Sequence, residues 1–145
     1  MMNSQRAASQ YRAVRSHGLV SSASPARLVQ IMFEHILSHL ATAQGCIERI
    51  KDNLPLGDVV TKGKSLGKAI RLINQLNATL DMERGRQIAG NLRSLYLYML
   101  DRLTVANVTN DARIVGEVSN LVHKIKSSWD QIVANEVADA ARNAR

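Results

Sequence analysis

Two histidines, His35 and His39, stand four residues apart in the first strongly apolar segment of the chain. On a helix this spacing places both imidazoles on one face, where they could hold a transition metal. A stable site needs a third and a fourth ligand, and the surrounding sequence EHILSH differs from the His-Glu-x-x-His zinc motif. The paired Glu-x-x-His segments of di-iron bundles are also absent from the sequence. We therefore predict no metal site and interpret both residues as histidines at the edge of a core.

The other reactive side chains form no catalytic set. Cys46 is the single cysteine and has no Cys-x-x-Cys partner, so it is expected to be a buried apolar residue. Asp81, Glu83 and Asp101 are close in sequence, but no histidine or serine completes an acid–base arrangement with them. The central glycines lie in a helical context rather than after a strand, where a phosphate-binding loop would need them. The sequence predicts neither an enzyme nor a bound cofactor.

Composition predicts one helical domain. The 145 residues are 46% hydrophobic but only 3% aromatic, which indicates a single core built from aliphatic side chains. Two prolines and an abundance of Leu, Ala, Ile, Arg and Gln favour helix. No apolar run approaches the ~18 residues of a membrane span, and the N-terminus lacks the apolar centre of a secretory signal. One cysteine is compatible with a reducing compartment, so we expect a cytosolic protein with no membrane insertion.

The net charge of +7 raises the question of an acidic partner. The basic residues are scattered, since no block of five or six like charges occurs and no aromatic residues alternate with them as stacking platforms. We interpret the charge as a solvated basic face and expect no nucleic-acid partner. A basic helical nucleic-acid-binding module remains the alternative function.

Apolar residues spaced three and four apart predict four helices, at about residues 25–52, 58–79, 87–106 and 111–134. Ser24 before Pro25 is a typical helix start, and Asn110 or Asp111 can cap the fourth helix after a loop over residues 107–110. Residues 81–85 break the pattern and form either a short link or one turn that opens the third helix. Short connections predict an all-α protein, an antiparallel four-helix bundle over residues 24–134. A flexible N-terminal arm or short cap helix precedes it at 1–23, and a frayed tail follows at 135–145.

The third helix carries more apolar surface than a bundle helix needs. Around the segment SLYLYML, apolar residues cover an arc of about 200° on a helical wheel, whereas a stripe of about 100° suffices for burial on a core. One interpretation makes this helix central, with Ile88, Leu92 and Leu95 in the core stripe and neighbours on both sides. The other leaves part of its surface as an exposed groove that awaits an apolar partner. The two readings can be combined if an N-terminal arm carrying Tyr11 covers the groove.

A series of short motifs along the chain completes the pattern. In order they are Leu80-Asp81, Gly85, Ile88-Ala89, Asn91-Leu92, Leu95-Tyr96, Tyr98-Met99, Ala106-Asn107, Asp111 and Trp129. The opening of the first helix reads ASPARLV, and Tyr11 precedes it. Together these motifs resemble the FliS family of flagellar secretion chaperones, and the resemblance covers about residues 10–130.

This resemblance implies a function and a set of contact residues. FliS-like proteins bind the C-terminal region of flagellin in the cytosol, keep it from polymerising early and deliver it to the flagellar type III export apparatus. The client lies in apolar grooves, and the N-terminal arm occupies part of that surface when no client is bound, with Tyr11 as the displaceable cap. An empty groove can also pair with a second copy of the chain. The residues expected to contact the client are Ile73, Leu76, Leu80, Leu92, Leu95, Tyr96, Met99 and Leu103.

Overall fold

The structure is a computed structural model that describes residues 24–53 and 55–144. It contains four helices, α1 (Pro25–Asn53), α2 (Leu56–Ala78), α3 (Met82–Thr109) and α4 (Ala112–Asn143). The predicted arm over residues 1–23, with Tyr11, lies outside the described residues. The all-α prediction is confirmed, since the described residues contain no strand.

The four helices pack in a ring. Consecutive helices contact each other, and α4 closes the ring against α1. Cross-helix bonds give the directions: Arg49 near the end of α1 is 3.1 Å from Asp58 near the start of α2, and Lys62 in α2 reaches Asn107 at the end of α3. Ser24 at the start of α1 likewise donates to Glu136 late in α4. Neighbouring helices therefore run antiparallel, as two- and three-residue connections require.

Three of the four helices begin at a side chain that caps their first turn, whereas α2 follows Pro55, which has no side-chain cap. The Ser24 hydroxyl accepts from the Arg27 amide at 3.1 Å, which confirms the predicted start of α1. Asp81 accepts from two amides of the first turn of α3, and Asp111 accepts from the Arg113 amide at 2.9 Å. Residues 82–85 are thus one helical turn, and Arg86, with φ 45° and ψ −115°, separates that turn from the rest of α3.

The predicted loop over residues 107–110 is wrong, because α3 remains helical to Thr109. Asn110 ends the helix in the left-handed conformation, with φ 52° and ψ 47°. Lys62, which is only 6% exposed, donates to the Asn107 carbonyl at 3.0 Å and to Asn110 Oδ1 at 2.6 Å. A buried cation on the last carbonyls stabilises a final turn that local sequence disfavours.

Helix α4 extends beyond residue 134, the predicted end of the bundle. The helix continues to Asn143, and from residue 134 onwards its described side chains are exposed. These last turns have few interhelical contacts to hold them, so fraying of residues 135–145 in solution stays a prediction.

The core is aliphatic and centred on α1. Phe33, Ile36 and Leu40 are at most 1% exposed. Each of the other three helices contributes apolar residues to the same core. The largest enclosed side chains outside α1 are Leu66, Ile73, Met99, Leu103, Val115, Val118 and Val122.

Candidate functional site

The core-facing stripe of α3 is offset from the predicted one. The buried residues are Ala89, Tyr96, Met99, Leu103 and Ala106, on one face of the helix. Leu92 and Leu95 are only half-buried, and the prediction that Ile88 belongs to the core is wrong, because Ile88 is 73% exposed. Larger apolar side chains of α3 therefore stand at the edge of the core-facing stripe, while small residues occupy part of that stripe.

That offset opens a cavity between the start of α3 and the rest of the bundle. Gly85 and Ala89 stack one turn apart, and a Cβ on Gly85 would lie 2.6 Å from the Ala89 Cβ. Gly85 and Ala89 both line this cavity, and Arg86, with its positive φ, sets the first turn of α3 at an angle to the remainder. Two small residues beside a backbone kink therefore form part of the cavity wall.

We call the resulting surface the α3 groove. It consists of two adjoining apolar cavities of about 240 and 300 Å³, which share Ile88, Leu92 and Trp129. Helix α1 contributes Val29 to the floor, and Lys124 of α4 stands at the margin. The complete lining is Val29, Leu76, Thr79, Leu80, Asp81, Gly85, Ile88, Ala89, Leu92, Tyr96, Lys124, Ile125, Ser128 and Trp129.

The eight predicted contact residues divide into three groups. Leu76, Leu80, Leu92 and Tyr96 line the groove. Leu95 is half-buried against the core and does not line it. The remaining three are enclosed in the core at 1% exposure or less, namely Ile73, Met99 and Leu103.

Several lining residues were not among the predicted contacts. Ile88 was placed in the core stripe of α3 by its helical spacing, and Val29 and Trp129, which also line the groove, were not among the predicted contacts. Periodicity identifies a residue's face on its own helix, but it does not reveal a gap between that helix and its neighbours.

On the side of α3 away from the groove, the exposed ring of Tyr98 is held by a polar contact with α4. Tyr98 is 45% exposed, and its hydroxyl donates to Glu117 of α4 at 2.5 Å. This hydrogen bond is the main reason that the pKa of Tyr98 is raised. Arg102 also lies 3.6 Å from Glu117, so a polar set joins α3 to α4 on this side and leaves the groove as the apolar opening.

Metal and membrane chemistry find no support in the described residues. No group of three or more His, Cys, Asp or Glu side chains in residues 24–53 and 55–144 is arranged to hold a metal ion. His35 and His39 lie on the surface between α1 and α2, with ring centroids 6.5 Å apart. None of the described helices combines the length and the apolar character needed to cross a bilayer.

The fold and the groove define a class: a four-helix bundle with an open apolar groove beside one helix. Comparison with known proteins identifies the family. The family model "Flagellar protein FliS" matches residues 7–136. The chain is 43% identical over 131 residues to the flagellar secretion chaperone FliSB of Pseudomonas aeruginosa, covering 90% of this chain and 98% of that protein.

Other relatives carry the same description. The flagellar secretion chaperone FliS of Salmonella typhimurium is 43% identical over 123 residues, which cover 84% of this chain and 86% of that protein. The FliS of Bacillus subtilis is 29% identical over 120 residues, with 83% and 84% covered. This chain belongs to the FliS family of flagellar secretion chaperones.

Proposed function

We propose that this protein is a cytosolic export chaperone that binds the C-terminal region of flagellin in the α3 groove. It keeps the bound flagellin from polymerising early and delivers it to the flagellar type III secretion apparatus. The observation that carries this proposal is an open apolar groove in a member of a family of secretion chaperones. Membership supplies the role, and the groove supplies a surface suited to an unfolded apolar client.

The dimensions of the groove suit large apolar side chains. A cavity of about 150 Å³ is enough to bind benzene, so each half of the groove has room for at least one ring or branched aliphatic side chain. Burial of one such side chain contributes roughly 1.5–3 kcal/mol, and ordering of a disordered segment costs about 2–5 kcal/mol. Several anchors must therefore enter together, which an amphipathic helix with apolar residues at i, i+3, i+4 and i+7 achieves.

The proposed role of each residue in or under the groove follows from its position and burial. Ile88, Leu92 and Trp129 are the direct contacts, because both halves of the groove share them. Leu76, Leu80 and Tyr96 form the wall and floor. The enclosed predicted residues, Ile73, Met99 and Leu103, support that floor from within the core rather than touching the client.

The N-terminal arm is the proposed cover of the empty groove. Val29, one turn into α1, lines the groove, so the start of α1 is close to it. An arm of this length can place Tyr11 over the opening, and a client then displaces it. Deletion of residues 1–23 is expected to raise client affinity. In the absence of both arm and client, two grooves can pair, so the deleted form is also expected to dimerise at high concentration.

Trp129 provides a direct test, because it is the single tryptophan of the chain and lines both halves of the groove. We expect a tryptophan-free flagellin C-terminal fragment to change its fluorescence on titration, with one-to-one stoichiometry. Calorimetry should give a negative heat-capacity change from apolar burial. Saturable binding without any change at Trp129 would place the client elsewhere on the bundle.

Two exposed residues of α3 give a matched pair of variants. Ile88, 73% exposed, lines the groove, and Val108, 79% exposed, lies near the other end of the helix. Ile88→Gln is expected to weaken flagellin binding about tenfold, since it removes one anchor worth roughly 1.5 kcal/mol, while Val108→Gln leaves affinity within twofold. Equal affinities for the two variants would refute the site.

A further inference from the structure

A second cleft lies between α1 and α2, away from the α3 groove. His35 and His39 of α1 face Lys68 and Arg71 of α2 across an opening of about 340 Å³. Leu72 and Gln75 complete the lining, and none of these six residues lines the α3 groove. We call this surface the basic cleft.

The charges of the basic cleft are not balanced within the bundle. In the described part of the chain, no carboxylate lies within 4 Å of Lys68 or Arg71, and no acidic residue or residue of α4 lines the cleft. The same two helices show the opposite arrangement farther along, where Arg49 pairs with Asp58 at 3.1 Å. The cleft therefore presents four basic side chains to solvent at a site where an anion would meet no local repulsion.

The charges of the basic cleft act on the protonation of His39. The pKa of His39 is lowered, first by burial and then by the nearby Lys68, His35 and Arg71. A bound anion would offset the three repulsive contributions, so the imidazole would gain a proton as the anion binds. Binding linked to proton uptake becomes tighter as pH falls.

From this arrangement we infer that the basic cleft is a docking site for an acidic segment of a partner protein, distinct from the client groove. The basic groups are spread along the seam: the two imidazole centroids are 6.5 Å apart, and Lys68 and Arg71 are one helical turn apart. Carboxylates one turn apart on a helix have similar spacing, about 5–6 Å, so two or more acidic residues match the cleft better than one small anion. Leu72 offers an apolar contact for the methylene groups of a glutamate.

The probe for this proposal is a fluorescent decaglutamate peptide, followed by anisotropy at low salt. The variant Lys68→Gln/Arg71→Gln is expected to bind it about tenfold more weakly. Lys64→Gln/Arg93→Gln removes the same net charge from two exposed residues outside the cleft and should change affinity by twofold or less. Equal losses in both double variants would show unspecific attraction to a basic protein and overturn the proposal.

Two further measurements test whether the cleft prefers carboxylates to phosphate, and whether binding is linked to protonation. Tripolyphosphate should displace the peptide only at higher concentration than unlabelled decaglutamate; displacement at lower concentration would make this a phosphate site and refute the acidic-segment proposal. Affinity of the unaltered chain should rise severalfold from pH 8 to pH 6, and His39→Gln should reduce that rise. An undiminished rise in this variant would contradict the role of His39.

A test on the unaltered protein avoids any effect of substitution on folding. The imidazole NMR signals of His35 and His39 should move as decaglutamate is added, while that of His123, an exposed histidine of α4, should not. Peptide binding that moves His123 and leaves the cleft histidines unchanged would place the acidic segment elsewhere.

Discussion

Helices α1 and α3 are almost equal in length, at 29 and 28 residues, but the bundle covers them very differently. Twelve apolar residues of α1 are buried, against five of α3. The surplus of α3 is visible at Ile88, Leu97, Tyr98 and Val108, all at least 45% exposed. Helix α1 uses its apolar surface to hold the fold together, whereas α3 uses only part of its surface for that purpose. Under the proposed function, the apolar surface that the fold leaves exposed on α3 serves binding rather than stability.

The largest expected effect is the difference in stability between a core variant of α1 and a groove variant of α3. If this difference is absent, the contrast between the two helices is wrong. Phe33→Ala in α1 removes a 1% exposed ring and should lower the free energy of unfolding by about 3–5 kcal/mol. Ile88→Ala in α3 removes a mostly solvated side chain and should change it by only about 0.5 kcal/mol. Urea unfolding followed by circular dichroism measures both. Similar losses would mean that the groove end of α3 is as important for the fold as the centre of α1.

The two ends of α3 sharpen the comparison, because each has one non-glycine residue with positive φ. Among the described residues, no side-chain hydrogen bond or ion pair of Arg86 offsets its positive φ. Relief of this backbone strain by Arg86→Gly should therefore raise stability by about 1 kcal/mol. Asn110→Gly keeps an acceptable backbone but removes an acceptor of the buried Lys62, so it should cost about 1–3 kcal/mol.

Asn110→Asp retains an oxygen for Lys62 and serves as the control for the closed end of α3. Urea midpoints of the three variants give the order Arg86→Gly, Asn110→Asp, Asn110→Gly from most to least stable. A destabilised Arg86→Gly would contradict the view that the groove end of the helix stores strain.

The smallest expected effect concerns the seam between α1 and α4. The pKa of Asp130 is lowered from its ordinary value of 3.8 by hydrogen bonds from Gln30 and Lys126. Because the folded-state pKa is below the unfolded-state value, the contribution is complete at neutral pH. It is lost as pH falls below the ordinary value and through the folded-state pKa.

Asp130→Asn should therefore lower stability slightly at pH 7 and make the unfolding midpoint less sensitive to pH between 5 and 3. The effect is small because the carboxylate remains partly exposed. An unchanged pH profile would indicate that Asp130 does not help to hold α4 against α1.

Sequence alone determined the number of helices, the starts of α1 and α4, and the helix that carries surplus apolar surface. These features depend on capping residues and on spacing within one helix, which neighbouring residues are enough to reveal. The resemblance of ordered motifs from Leu80 to Trp129 also sufficed for the family, which the comparisons confirm.

Only the tertiary structure decided which apolar residues of α3 face the core and which face the groove. That division depends on the Arg86 kink, on the small pair Gly85 and Ala89, and on the opposing surfaces of α1, α2 and α4. The final turn of α3 likewise depends on Lys62, which is 45 residues away from Asn107 in the chain. A helical wheel records the directions of side chains on one helix, whereas burial and cavities arise from what lies opposite.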